Sequence, residues 1–118
     1  MHAATAAPLL RCELSQGGET AVLEAAPDPD PYRRHSVNVF DRFLFKAVVA
    51  GDAGRVDYIK LYAYFPGNGQ PMLLQEALYR APQPQRGDDP YALTGNQRLY
   101  SPAREYELFY GCALKEAP

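Results

Sequence analysis

Cys12 and Cys112 stand near opposite ends of a chain that otherwise reads as a succession of short strands. Each falls on the apolar phase of its own alternating run: Leu10, Cys12 and Leu14 share one side, as do Tyr106, Leu108, Tyr110, Cys112 and Leu114. Side chains alternate across a strand, so both thiols point into one core. If the first and last strands are neighbours there, a Cys12–Cys112 disulfide spans 100 positions. Such a closure is worth roughly 4–5 kcal/mol on a chain-entropy argument.

The cysteines also bear on compartment. Met1–Pro8, MHAATAAP, has neither the basic n-region nor the apolar h-region of a secretory signal. A small-residue run ahead of a first strand is, however, what remains after cleavage at an A-x-A-like site. The expectation is a disordered tail over residues 1–8, left by signal removal, and a single domain over 9–118 that is periplasmic or secreted. The competing reading is a cytoplasmic domain with two reduced, buried cysteines. At 118 residues one core suffices, burying roughly two-thirds of the unfolded surface. The net charge of −2 and scattered arginines argue against nucleic acid as a partner, and no apolar run is long enough to span a membrane.

Strand signals recur at intervals bounded by turn residues. Leu9–Leu14 and Glu19–Ala25 flank Ser15-Gln16-Gly17-Gly18 as a hairpin. Pro27-Asp28-Pro29-Asp30-Pro31 lacks three donors and is expected outside any central sheet, as a crossing between sheets. Tyr32–Phe40 reads as a third strand. Phe43–Ala50 and Arg55–Phe65, around Gly51-Asp52-Ala53-Gly54, form the clearest hairpin, with Phe43, Phe45, Ala47, Val49, Ile59, Leu61, Ala63 and Phe65 facing the core. Met72–Tyr79 follows, then a broken polar loop over Pro82–Pro90, a brief strand at Gln97–Tyr100 and a closing strand at Glu105–Lys115. About seven to eight strands without a helix signature predict an all-β, antiparallel β-sandwich of immunoglobulin-like architecture, with a small β-barrel as the alternative.

The same phase places Tyr58, Lys60, Tyr62 and Tyr64 on the outer face of their strand, a stripe of amphipathic rings around a cation. It suits a protein or glycan partner in the cell envelope, although outer-face tyrosines also serve as plain cross-strand packing. Asp28, Asp30, Asp52, Asp88 and Asp89 could offer oxygen ligands to calcium, but no D-x-[DN]-x-[DN]-G loop is present, so no metal or cofactor is expected. His35 has no triad spacing around it. Glu105 and Glu107 lie side by side rather than across a cleft, and no nucleophile elbow or phosphate loop occurs. No catalytic residue is therefore assigned. Arg33, Arg34 and His35 form the densest cationic patch, suited to an anionic partner or to guarding an edge strand.

The sequence thus points to a non-enzymatic binding or interaction module, monomeric or a homodimer through an edge strand. Two alternatives belong to other classes. One is a small-molecule or lipid carrier whose cavity is lined by Phe43, Phe45, Phe65, Tyr106 and Leu108; the other is a glycan-processing enzyme using Glu105, Glu107 or the loop aspartates.

Overall fold

Apolar–polar alternation becomes eight strands in the structure, a computed structural model that describes residues 7–117. They are β1 (Ala7–Gln16), β2 (Glu19–Ala25), β3 (Val37–Val39), β4 (Phe43–Asp52), β5 (Arg55–Phe65), β6 (Met72–Arg80), β7 (Gln97–Tyr100) and β8 (Glu107–Ala117). One antiparallel sheet has the order β2-β1-β8-β7 and carries the cysteines; the other, β3-β4-β5-β6, carries the tyrosine stripe. The expected antiparallel sandwich is what forms. The ladders end at β2 and β7 in one sheet and at β3 and β6 in the other, which leaves two open sheets rather than a closed barrel. The tail expected over residues 1–8 lies outside the described residues except for Ala7 and Pro8, and these open β1.

The core is the inward phase of both sheets. Leu10, Cys12, Leu14, Leu108, Tyr110, Cys112 and Leu114 meet Phe43, Phe45, Val49, Ile59, Leu61 and Ala63. Phe45 meets the Tyr110 ring edge-on, centroids 5.0 Å apart. Of the side chains named for a carrier cavity, Phe43, Phe45 and Leu108 are core members, while Phe65 and Tyr106 are half-buried at the rim.

Cys12 and Cys112 stand directly opposite each other on β1 and β8 and are bonded, with Cα atoms 4.1 Å apart. The backbone explains the close approach. The Cys112 N–H donates to Thr94 Oγ1 and its carbonyl accepts from Leu93 N and Thr94 N, all on the side away from β1. Cys12 and Cys112 are therefore a non-hydrogen-bonded pair, the kind in which facing Cα atoms come nearest.

The two long connections complete strand edges. The proline segment crosses from β2 to β3, as expected, and runs beside β4 where the short β3 no longer reaches. Asp28 N donates to Val49 O at 2.8 Å and Asp28 O accepts from Gly51 N at 3.2 Å. The loop after β6 does the same for β8: Leu114 N donates to Gln85 Oε1 and Gln85 N to Leu114 O, both at 2.7 Å. Tyr91 from this loop lies across Gly111. A Cβ there would meet the Tyr91 ring at 2.2 Å, so glycine in mid-strand leaves room for the ring.

Two expectations are corrected. Tyr32–Phe40 is strand only over Val37–Val39, because Asp30 turns the chain upstream: its Oδ1 accepts from Tyr32 N and its carbonyl from Arg33 N. Glu105 and Tyr106 precede β8 instead of opening it, since Ser101 holds them in a turn through Tyr106 N to Ser101 Oγ and Ser101 N to Tyr106 O.

Candidate contact face

On the outer face of the tyrosine sheet the pairing of β4 with β5 depends on one bulge, and a second shift between Ala63 and Tyr64 sets Leu73 beside Tyr64. At its tip the β4–β5 hairpin pairs Asp52 with Arg55 and Gly51 with Val56, a register that carried onward would set Lys46 against the inward-facing Leu61. Asp57 is skipped instead, and Ala50 pairs with Tyr58. The slip puts Leu44, Lys46, Val48 and Ala50 opposite Tyr64, Tyr62, Lys60 and Tyr58, all facing outward. Gly51 makes the bulge possible: at φ 152° it approaches Arg55 so closely that a Cβ would lie 2.2 Å from the Arg55 carbonyl oxygen.

The four predicted residues do share this face, in sequence order, and each is half-buried. They divide into two groups. Tyr62 and Tyr64 stack with centroids 6.1 Å apart and planes 12° from parallel, and Lys46 Nζ lies 4.8 Å from the Tyr62 centroid. Tyr58 stands at the other end, where it borders a groove with Pro29, Pro31 and Ala50, and Lys60 Nζ is 6.0 Å from its ring. Burial, then the neighbouring Tyr62 and Glu76, push the Tyr64 phenol above its usual range.

Several participants are absent from the sequence expectation. Lys46 brings a second cation opposite Tyr62, and β6 sets Leu73, Glu76 and Leu78 beside Tyr64, Tyr62 and Lys60. Leu73 and Leu78 are 50% and 40% exposed, so the face combines stacked rings, uncovered leucines and flanking charges of both signs. Alternation alone marks Lys46 as outward; its pairing with Tyr62 follows only from the bulge.

The remaining candidates are dispersed. Asp52 Oδ1 accepts from Gly54 N and Arg55 N, Asp89 Oδ1 from Tyr91 N, and Asp28 Oδ1 from Asp30 N, so these carboxylates brace their own turns. Among the described residues no group of three or more His, Cys, Asp or Glu side chains gathers at one place. Glu107 pairs with Arg98 at 2.9 Å, Glu105 is exposed in the turn before β8, and Asp88 is exposed in the loop. His35 is exposed beside Arg33, whose guanidinium reaches Asp28 at 2.9 Å. No helix among the described residues is long and apolar enough to cross a membrane. Compared with family models, with curated proteins and with solved structures, the chain shows no match.

Proposed function

We propose that this protein is an exported, non-enzymatic binding module that holds a protein partner against the outer face of its tyrosine sheet. The observation that carries the reading is the parallel Tyr62–Tyr64 pair, with Lys46 at the ring and uncovered Leu73 and Leu78 alongside. Aromatic rings surrounded by aliphatic area and rimmed by charge are the composition of a protein contact. The ring geometry favours protein over glycan on this face. Tyr62 and Tyr64 each turn one face toward the other and Lys46 lies over the Tyr62 ring, which takes up much of the π-surface a sugar would lie on. Export is supported by the buried Cys12–Cys112 bridge, which persists in an oxidising compartment.

The test places a photo-crosslinking amino acid at Tyr62, and separately at the exposed Glu24 of the opposite sheet, in cells that export the protein. A discrete protein adduct from position 62, absent from position 24 and lost with Lys46→Glu, is the expected result. No adduct at 62, or the same adducts from both positions, overturns the reading.

A further inference from the structure

We propose that the outer face of the disulfide sheet carries a separate binding site for one neutral pyranose unit of a glycan. The site is a pocket of about 250 Å³ between the Tyr91 ring and the β2 strand, with Glu13 in its lining and with Phe109, whose ring already carries the Arg98 guanidinium 4.9 Å from its centroid, at its border, so that Tyr91 is the one aromatic platform. Its size admits a single sugar ring rather than an extended ligand, lying just under the usual range of small-molecule pockets, about 300–1,000 Å³.

The construction is specific. Gly111 has no side chain where one would strike Tyr91, and the Tyr91 N–H is anchored by Asp89 at 2.9 Å while its carbonyl accepts from Gly95 N at 2.8 Å. A mid-strand glycine weakens a strand relative to alanine, and the seated Tyr91 ring offsets that loss. Below Tyr91, register lines up Val22, Glu13 and Gly111 in one row and Thr20, Ser15 and Phe109 in the next. An aromatic wall against a strip of polar side chains suits a sugar, which has an apolar face of C–H groups and an equator of hydroxyls.

Polar groups of the pocket are available to such hydroxyls. Among the described residues, the side chains of Ser15, Thr20 and Asn96 have no hydrogen-bond partner in the chain. Glu13 accepts from Arg11 Nη1 through one oxygen; the other receives only a long 3.4 Å contact from the Tyr91 hydroxyl and can accept again. Charge selects within the ligand class. Arg11 pairs with Glu13, so this carboxylate brings little net charge to the pocket and draws in neither a small cation nor an anionic sugar. A neutral polyol remains.

The experiment is a titration followed by amide NMR, using methyl glycosides of glucose, galactose, mannose and N-acetylglucosamine, with tetramethylammonium and glucose 6-phosphate as comparators. Saturable shifts from at least one neutral glycoside are expected at Glu13, Thr20, Asn96 and Phe109, with Tyr62 and Tyr64 unmoved. Thr20→Val and Asn96→Leu should each weaken binding by about 3–10-fold without lowering the thermal midpoint. Gly111→Ala, which pushes Tyr91 off its seat, should abolish it. Saturation by no glycoside, preference for tetramethylammonium or the phosphate, or unchanged affinity in both polar variants overturns the proposal. Because the tyrosine face lies on the other sheet, its crosslinking result stands or falls separately.

Discussion

The Tyr110 hydroxyl donates to Gln75 Oε1 and thereby joins the centre of the disulfide sheet to the edge of the other. Gln75 passes the connection on, its Nε2 donating to Gln97 Oε1 at 3.2 Å, and Gln97 Nε2 donates to Thr94 O at 2.7 Å. A polar thread thus crosses the side of the sandwich where β6 and β7 face each other without a ladder.

Alkaline pH should weaken the fold that holds this thread. Burial, then the neighbouring Tyr79, hold the Tyr110 phenol well above its ordinary value, and burial also raises Tyr79. The unfolded chain releases these protons near pH 10. Above that pH the folded state binds more protons than the unfolded one, so stability is full below about pH 10 and declines as pH rises further. Urea unfolding between pH 7 and 11, with phenolate absorbance followed in parallel, checks both parts. Tyr110→Phe should flatten the alkaline decline yet cost about 1–3 kcal/mol at neutral pH by leaving Gln75 short of a donor.

The bridge should behave as a buried staple. Both cysteines are fully buried, so reductant alone should leave the bond intact and reductant with denaturant should open it. Intact mass after alkylation counts the thiols released. Replacing both cysteines by alanine should lower stability by roughly 2–5 kcal/mol in urea unfolding.

Gly51→Ala tests the bulge on which the contact face depends. The added Cβ would sit 2.9 Å from Val56 Cα as well as against the Arg55 carbonyl, and neither is the end of a flexible side chain. A loss of about 1–3 kcal/mol is expected, with amide shift changes running from the hairpin tip along the Lys46–Tyr62 row.

Tyr62→Ala should separate contact from stability. The ring lies outside the core, and its stack with Tyr64 is worth about 0.5–1.5 kcal/mol beyond burial. Thermal unfolding should therefore move little while partner capture is lost. A large fall in midpoint would make Tyr62 a structural residue.

How much of this was legible follows from the range of each signal. Strands β2, β5 and β7 have the bounds that alternation and turn residues predict, because both signals are local. The bulge left only a trace in the sequence: Val56 is apolar on the phase opposite Ile59, Leu61 and Ala63, and only the structure, where Val56 is buried and Asp57 is skipped, shows that an extra residue reconciles the two. Tyr91 left no trace. The broken polar stretch before it reads as surface loop, and nothing nearby says that Gly111 stands ready to receive a ring from twenty positions away. Likewise Gln85 and Thr94 complete the edge of β8 through contacts that no local pattern encodes.

The pairing of the first and last strands also sets how the molecule bears load. Ala7 and Ala117 lie side by side, so tension applied to the two ends peels β1 from β8 one rung at a time, the low-force direction for a ladder. Peeling passes five paired positions, from Ala7↔Ala117 to Arg11↔Ala113, and then meets the sulfur–sulfur bond. Beyond that point the pull runs through a covalent link. The stretch enclosed between the cysteines, with both the tyrosine face and the Tyr91 pocket, stays slack however hard the ends are drawn.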